Sequence, residues 1–416
     1  MSRIRVAILD DAPYASWAGS VHASNATFHR FAAALLDVRD GAGGTVVAEL
    51  VLAAPVRPAP TAPITLPVDP RIRIVATEPF DGIAGYLRRW PLLVVRNAPR
   101  LRSAFAGVDV VLLRLPASNG LLGAVAAAAR GVPRVAFVVG SVSDVVAGQA
   151  RSGLGGRAAR LVGRGYDAAT RLASIGAATV VVGDDPAGEG IIASLVLPDE
   201  MRDPAGAPWP AVTGRLRLAY AGRLADGKGL DTLLAVVGSL TRPAGSNPPL
   251  DVRLDLVGDG PAAASLAARA AQLGIADRVS FTGYLADREA YLGALERADL
   301  FLSASPAEGF PKAVLDAMAA GLPVVAVPAG RLADLDGGDA IEHGAPFRSV
   351  PAGDPDAIAD AIRALLDDPE RARRLRAAGT AFVRRHTMPA EAARLAAVLA
   401  RQAATRRRRG PRVSLR

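Results

Sequence analysis

The stretch Leu216-Arg-Leu-Ala-Tyr220-Ala-Gly-Arg-Leu-Ala-Asp-Gly-Lys-Gly229 decides the fold. It passes from a short apolar strand through a glycine-rich loop into a helix predicted over 229–240. The same alternation continues along the second half of the chain. Strands are predicted at 216–220, 251–257, 279–282, 300–304 and 323–327, and helices at 229–240, 262–273, 311–320, 357–366 and 370–378. Strands that alternate with helices predict a parallel α/β sheet.

The first half shows the same pattern before a proline-rich break. Strands are predicted at 4–9, 46–53, 72–75, 108–113, 134–139 and 179–182, with a helix from Ser20, another at 120–130, and loops at 10–19 and 54–70. We therefore expect an α/β protein with two Rossmann-like parallel-sheet domains that face each other across a cleft. The predicted organisation is a domain at 1–197, a linker at 198–213, a domain at 214–388, a helix at 389–403 that packs back toward the first domain, and a disordered tail at 404–416.

Composition excludes several classes of protein. The 416 residues are 50% apolar and 21% charged, so the chain can bury a large core. No Cys is present, which excludes disulfides, Cys-ligated zinc and a Cys nucleophile. The four His residues are not spaced as metal ligands, and no metal is expected. Without an apolar stretch of about 18 residues or a signal-peptide pattern, a cytoplasmic protein is expected.

The net charge of +9 is concentrated at the end of the chain, where the last 16 residues carry seven Arg and no acid. This tail could bind anionic lipid or nucleic acid, or it could simply be solvated. Nucleic-acid binding is disfavoured because no basic aromatic sheet or reading helix accompanies the tail. Residues 82–108 also lack acids and combine five Arg with Trp90 and aliphatic residues. They predict either contact with an anionic membrane, at the inner face of the plasma membrane, or an ordinary helix whose Arg stems cover the core.

Lysine usage points to an anion site. Only Lys228 and Lys312 are Lys among 49 basic residues. Lys228 shares a strand-to-helix loop with Arg223 and Gly222, and a compact ammonium is not interchangeable with a guanidinium at a tight phosphate site. Two cations on one such loop predict a diphosphate site. The alternative is a basic loop without a ligand.

A second candidate site lies in Ser305-Pro-Ala-Glu-Gly-Phe-Pro-Lys-Ala-Val-Leu-Asp316. Glu308 precedes a predicted helix, and Asp316 lies about two turns later on one face. The amides of Gly309 and Phe310 lie at the helix N-terminus, where the dipole favours an anion. Alternatively, Glu308 is only a helix-terminal charge and Asp316 a solvated or capping acid.

This stretch resembles the E-x7-E signature of retaining GT-B glycosyltransferases (glycosyltransferase family 4-like, group 1). The resemblance covers most of residues 215–380. It also rests on the Gly-Arg…Lys-Gly loop and on Gly-Asp-Gly-Pro261, Phe281-Thr-Gly283, Ala298-Asp-Leu300 and Pro351-Ala-Gly-Asp354. Residues Gly19-Ser20, Arg114-Leu-Pro116 and Gly131-Val-Pro133 give the first half a weaker likeness to the acceptor domain of that family.

The resemblance implies a role for each matching residue. Arg223 and Lys228 would clamp the donor diphosphate beside Gly222, and Glu308 would hold the donor sugar. Gly309, Phe310, Pro311 and Lys312 would assist Glu308, Asp316 would bind the ribose, and Gly283 with Tyr284 would approach the nucleobase. Neither a metal nor another cofactor is needed, because cations and a helix N-terminus offset the leaving-group charge.

Three departures from the family pattern stand out. Asp316 replaces Glu and is one methylene shorter, Gly19-Ser20 replaces a Gly-Gly pair, and no His occurs in Val139–Asp144. Gly19, Ser20 and Asp144 are acceptor-side candidates, and Asp144 is alternatively an ordinary surface residue. The resemblance implies a retaining glycosyltransferase that uses a nucleotide-sugar donor and a glycan or lipid-linked acceptor. The alternative is a non-catalytic nucleotide-sugar-binding partner subunit.

Overall fold

The structure is a computed structural model that divides the chain into two compact units. Unit 1 comprises Met1–Ala193 and Met388–Arg416, and unit 2 comprises Ser194–Thr387. The described residues are 3–17, 20–23, 27–58, 64–66, 69–143, 154–182, 190–192, 194–203, 215–243, 248–308, 310–335 and 344–408. Most of the predicted linker and the end of the Arg-rich tail lie outside these ranges.

Unit 1 is built on a ten-stranded sheet with the order β10-β9-β8-β7-β1-β4-β2-β3-β5, in which β6 also pairs with β4. The strands are β1 Ile4–Leu9, β2 Tyr14–Trp17, β3 Ser20–Ala23, β4 Val47–Arg57, β5 Ile64–Leu66, β6 Ile72–Thr77, β7 Val110–Leu115, β8 Arg134–Val138, β9 Ala178–Val182 and β10 Gly190–Ile191. The central strands β1 and β7 are nearly continuous apolar runs with almost every residue buried, as parallel strands covered on both faces require.

Helices cover this sheet. They are α1 Thr27–Ala34, α2 Gly82–Ala104, α3 Gly120–Ala129, α4 Leu154–Ser174 and the C-terminal α11 Met388–Arg408. Helices α3 and α4 each connect neighbouring parallel strands, while α2 connects β6 to β7, and α3 packs against both α2 and α4. Helix α11 packs against α1 and β7, and its buried Glu391 accepts a hydrogen bond from the Ile192 amide at 3.0 Å. The last helix is therefore part of unit 1.

The predictions for residues 10–23 and 54–70 were wrong in part. Strand β2 occupies part of the predicted loop, and Ser20 begins strand β3 instead of a helix. Strands β2 and β3 form an antiparallel hairpin, β2 also pairs with β4, and β3 pairs with β5. These strands are too short to be predicted from the local sequence pattern, and pairing with distant segments stabilises them.

Unit 2 has a six-stranded, fully parallel sheet with the order β13-β12-β11-β14-β15-β16. Its strands are β11 Leu216–Ala221, β12 Val252–Val257, β13 Val279–Gly283, β14 Leu300–Ser303, β15 Val324–Ala326 and β16 Arg348–Ser349. Its helices are α5 Leu230–Leu240, α6 Ala263–Gln272, α7 Arg288–Glu296, α8 Lys312–Ala319, α9 Pro355–Asp367 and α10 Pro369–Arg385. The predicted strands and helices correspond to these elements, while α7 and β16 are additions and α10 extends beyond its predicted end at 378.

The charged ends of the helices in unit 2 follow simple capping rules. The side chains of Asp287, Asp354 and Asp368 accept hydrogen bonds from backbone amides in the first turns of α7, α9 and α10. These caps fix where each helix begins. None of the described helices, in either unit, is long and apolar enough to cross a membrane.

Candidate functional site

The loops that leave the strands of unit 2 are joined by backbone hydrogen bonds at the carboxyl edge of the sheet. The Gly222 amide donates to the Val257 carbonyl at 2.9 Å, and the Gly258 amide donates to the Gly283 carbonyl at 3.0 Å. The Leu224 amide donates to the Asp259 carbonyl at 2.9 Å. Ligands of open α/β sheets bind at this edge. The loops after β11, β12 and β13 therefore form one connected platform at the expected position.

Two glycines make the close contacts of this platform possible. A Cβ atom on Gly229, which has φ of 69°, would lie 2.1 Å from the Ala304 carbonyl oxygen. A Cβ atom on Gly258 would lie 1.9 Å from the Gly222 carbonyl oxygen. Any side chain at either position would force backbone apart. These glycines bring the loop after β11 against the loops after β12 and β14.

Lys228 and Glu308 meet across this edge, although 80 positions separate them in the sequence. Lys228 Nζ lies 2.6 Å from Glu308 Oε1, and both side chains are partly exposed, at 29% and 21%. Burial, and then the charge of Glu308, raise the pKa of Tyr220 above its ordinary value. The structure therefore brings together Lys228 and Glu308, which the sequence singled out, close to the buried Tyr220.

Arg223 and Gly222 lie in the same loop and are both exposed. The Arg223 carbonyl accepts a hydrogen bond from the Tyr220 hydroxyl at 3.3 Å, and no acid in the described ranges forms an ion pair with its guanidinium. The Ser305 hydroxyl contacts the carbonyls of Gly227 and Ala307, which joins this loop to the one that carries Glu308. A cation is therefore available beside the Lys228–Glu308 pair.

Helix α8 begins directly behind Glu308. Phe310, Pro311 and Lys312 are partly buried at its N-terminus, while Gly309 lies outside the described residues. The positive end of a helix dipole stabilises an anion at this position. Gly283 ends β13 with φ of 78°, and Tyr284 follows with 57% of its surface exposed. An exposed aromatic ring at the same edge suits stacking of a base.

Asp316 is not a solvated or capping acid. It is 6% exposed; its Oδ1 accepts a hydrogen bond from Arg288 at 2.8 Å and its Oδ2 accepts one from the Tyr291 hydroxyl at 3.1 Å. Arg288 also forms a two-pronged ion pair with Glu200, at 2.9 and 2.8 Å. Burial raises the pKa of Asp316 even though Arg288 acts in the opposite direction. Both of its oxygens are already engaged by protein groups, which the sequence did not predict.

A cavity of about 270 Å³ lies behind the same loop, between the first turns of α5 and α6. Asp226 and Asp231 line it, together with Gly227 and Gly353, but Arg223, Lys228 and Glu308 do not. Two carboxylates disfavour a phosphate by simple repulsion. The cavity is therefore not the site predicted for the diphosphate.

The acceptor-side candidates predicted in unit 1 are Gly19, Ser20 and Asp144, of which only Ser20 lies among the described residues. Ser20 begins β3 and pairs with Trp17 at the closed end of a hairpin whose strand β2 pairs with the carboxyl end of β4. Gly19 and Asp144 lie outside the described residues. The residues that do follow β1 are Asp10 and Asp11, which the sequence interpretation did not propose as a site.

Asp10 and Asp11 are held in different ways. Asp10 is 1% exposed and forms an ion pair with Arg114 at 2.7 Å, while Arg114 also lies over the Phe28 ring. Asp11 accepts hydrogen bonds from the Ser118 amide and the Asn119 side chain, just before α3 begins. Burial raises the pKa of Asp11 to about 6, and the neighbouring Asp10 adds to the shift. An acid pair directly after a buried strand was the sequence signal for this cluster.

A second carboxylate orders the loop after β8. Asp167 on α4 accepts hydrogen bonds from the amides of Val142 and Ser143 and from the hydroxyls of Ser141 and Ser143. The loop where the family pattern carries a His is therefore fixed by an acid from the following helix. Across the described ranges of both units, His, Asp and Glu do not form a cluster that could hold a metal ion.

Comparison with known proteins gives a family model that matches part of unit 2, and a fold. Residues 215–368 match the family model described as Glycosyl transferases group 1, which supports that family for unit 2. A solved sucrose-phosphate synthase from Thermosynechococcus elongatus covers 97% of this chain and 100% of its own, with a TM-score of 0.64 and 19% identity. The fold is GT-B.

Two other similarities give context. An Anabaena protein solved in complex with UDP and glucose covers 96% of this chain and 100% of its own, with a TM-score of 0.57 and 17% identity. The GDP-mannose-dependent alpha-(1-6)-phosphatidylinositol dimannoside mannosyltransferase of Mycobacterium tuberculosis is 33% identical over 166 residues. This match covers 40% of the chain and 39% of that relative, so the chain spans well under half of its length.

Proposed function

We propose that the protein is a retaining glycosyltransferase that transfers a sugar from a nucleotide-sugar donor to a glycan or lipid-linked acceptor. The observation that carries the proposal is the Lys228–Glu308 contact of 2.6 Å at the carboxyl edge of the unit 2 sheet, in front of the α8 N-terminus. A paired acid and cation in that position can bind a sugar and a diphosphate side by side. The family match of residues 215–368 and the names of the relatives support the same reaction class.

The cations serve the leaving group in this proposal. Lys228 and Arg223 bind the diphosphate, and the α8 N-terminus stabilises its charge further. The bond between the sugar anomeric carbon and the phosphate oxygen breaks while the acceptor oxygen bonds to the same face of that carbon. The acceptor proton passes to the departing diphosphate. Neither an enzymic nucleophile nor a metal is assigned a step.

The acids have separate roles. Glu308 accepts hydrogen bonds from donor-sugar hydroxyls and keeps Lys228 oriented toward the diphosphate. Asp316 acts indirectly, because it is only 6% exposed and its two oxygens already accept hydrogen bonds from Arg288 and Tyr291. We therefore assign Asp316 to holding α7 against α8, and the ribose contact that the resemblance implies for it is not direct. The nucleobase is assigned to Gly283 and Tyr284.

The test is a donor panel followed by product analysis. Purified protein is incubated with UDP-glucose or GDP-mannose and candidate acceptors, release of nucleoside diphosphate is measured, and NMR assigns the anomeric configuration of the product. The proposal expects turnover with one donor and a product whose configuration matches the donor. Inverted products would overturn the retaining assignment. Nucleotide-sugar binding without turnover under every acceptor condition would favour the partner-subunit alternative.

Glu308→Gln sharpens this test. The variant keeps shape and loses charge, so turnover should fall on the order of 100-fold or more, as when one group that stabilises a transition state is removed. Binding of the free nucleoside diphosphate should change little, because the proposed partner of Glu308 is the sugar. Normal turnover in Glu308→Gln would remove this residue from the reaction.

A further inference from the structure

The three helices α2, α3 and α4 of unit 1 form one layer over the sheet, and this outer layer exposes apolar side chains. Eleven large apolar side chains are exposed among the described residues, and nine of them lie in or directly after these helices. Val95 and Leu161 are the most open of these, at 71% and 72% exposed. The nine residues are Leu87, Trp90, Leu92, Val95, Leu121, Val125, Leu161, Leu172 and Ile175.

On α3 and α4 their spacing places them along one side of each helix. On α4, Leu161, Leu172 and Ile175 are separated by eleven and three positions, which places them along one side of the helix. On α3, Leu121 and Val125 are four positions apart. Because α3 packs against both neighbours, its exposed apolar pair lies between α2 and α4. Exposed apolar residues concentrated on one face mark an interaction surface, whereas single scattered ones do not.

The charge of the outer layer has one sign. The three helices carry nine Arg and a single acid, Asp167, whose carboxylate is engaged by the loop at 141–143. Arg157, Arg160, Arg164 and Arg171 on α4 are exposed, and within the described ranges none of them forms an ion pair. Glu78 lies outside these helices and pairs with Arg96 and Arg100 on α2. The layer is therefore strongly cationic as well as apolar.

The start of the Arg-rich tail lies next to this layer. Arg406, in the last described turns of α11, donates a hydrogen bond to the carbonyl of Val108 at 2.5 Å. Val108 follows closely after the end of α2. Arg406 is therefore fixed close to the end of α2.

From these observations we propose that the outer layer of unit 1 docks onto an anionic lipid bilayer. Arg side chains keep their charged heads in the headgroup region while their stems and the apolar residues enter the interface. A second copy of the same face is a poor occupant, because it would oppose one set of unpaired Arg residues with another. Docking needs neither donor nor acceptor, so the inference stands apart from the proposed transfer reaction.

Vesicle binding tests the proposal. The full chain is mixed with phosphatidylcholine vesicles that contain about 30% phosphatidylglycerol, and with vesicles of phosphatidylcholine alone, and cosedimentation is measured at low and high salt. We expect binding to the anionic vesicles that weakens as salt rises. Equal binding to neutral vesicles, or no binding to either, would overturn the proposal.

A matched pair of charge-reversal variants locates the surface. Arg160→Glu/Arg164→Glu changes α4, and Arg253→Glu/Arg297→Glu makes the same change in net charge on exposed positions of unit 2. Each Arg near an anionic surface contributes roughly fivefold to binding, so the α4 variant should bind at least about 30-fold more weakly. The unit 2 variant should bind nearly as the parent does. Similar losses in both would show that net charge alone drives binding and would overturn the assignment to the outer layer.

Trp90 offers a readout of the apolar component. In a chain where Trp17 and Trp209 are replaced by Phe, only Trp90 fluoresces, and it is 55% exposed. Its emission should shift to shorter wavelength when anionic vesicles are added. Leu161→Ser should reduce binding to these vesicles, and the remaining binding should still weaken as salt rises. Unshifted emission would overturn the proposal. A salt-sensitive dimer that no longer associates in the α4 variant would also overturn it, because the face would then bind a second copy. Preferential binding of duplex DNA over vesicles would overturn it as well.

Discussion

Unit 2 pairs Lys228 and Arg288 with acids, whereas unit 1 leaves a row of Arg residues on α4 without one. Lys228 contacts Glu308, and Arg288 contacts both Glu200 and Asp316. The exposed Arg residues of α4 form no ion pair within the described ranges. Paired charges are held in a fixed geometry and suit a small ligand, whereas unpaired charges spread along a helix suit an extended anionic surface.

This difference also divides the effects of mutations. Changes at the charged network of unit 2 should alter stability or nucleotide binding. Changes on the outer layer of unit 1 should leave both nearly unchanged. The predictions below test that division in order of decreasing effect.

Asp316→Ala should have the largest effect on stability. It leaves Arg288, whose side chain is 23% exposed, with only one of its two acids and Tyr291 without its acceptor, and losing a hydrogen bond to a charged group costs about 1.5–3 kcal/mol for each bond. The free energy of unfolding measured in urea should fall by the sum of the two losses. Glu370→Ala, which breaks an exposed pair with Arg373 at 2.7 Å, is the matched control and should cost less than about 1 kcal/mol. Equal losses would mean that burial of the Asp316 network has no special energetic role.

Asp11 should make stability depend on pH. Its folded pKa of about 6 lies above the ordinary Asp value of 3.8, so the folded state binds a proton more tightly than the unfolded state. The associated stabilisation is fully present below about pH 4 and is lost as pH rises through about 6, a change of at most about 3 kcal/mol. Urea unfolding of the parent and of Asp11→Asn between pH 4 and 7 measures it. A parent profile that matches that of Asp11→Asn would contradict the raised pKa.

Lys228→Ala should weaken nucleotide binding. Loss of one charge-assisted contact costs about 1.5–3 kcal/mol, which corresponds to roughly 10- to 150-fold in Kd. The variant also leaves Glu308 without its cation, so repulsion of the diphosphate adds to the loss. Isothermal titration with UDP and GDP measures the effect. Arg297→Ala, at an exposed position directly after α7, serves as the control. Unchanged affinity in the folded Lys228→Ala protein would exclude Lys228 as a diphosphate ligand.

Leu161→Ser should have the smallest effect on folding. This side chain is 72% exposed, and surface substitutions usually change stability by less than about 0.5 kcal/mol. Thermal or urea unfolding and nucleotide titration should match the parent. A loss of several kcal/mol would show that Leu161 packs into the fold, and the contrast between the two units would then weaken.

Local pattern was sufficient for most elements of unit 2, although not for α7 and β16, because most of them are decided within a short window. The strands are short apolar runs, and the helices begin at capping acids such as Asp354 and Asp368. Unit 1 was harder at residues 10–23 and 54–70, where β2, β3 and β5 pair with each other and with β4. Such short strands depend on partners far away in sequence, which a window cannot show.

The candidate site divides in the same way. The residue types and spacing of Lys228, Arg223 and Glu308 were readable from the sequence, because an otherwise absent Lys and a helix-terminal acid stand out locally. The contact between Lys228 and Glu308 could not be predicted from the sequence, because the loops after β11 and β14 meet only when both strands join one sheet. The sequence by itself therefore determined the alternation of elements and the chemistry of the loops. Only the tertiary structure decided that Arg288 engages Asp316 and that α2, α3 and α4 share one exposed face, because both depend on contacts between segments that are distant along the chain.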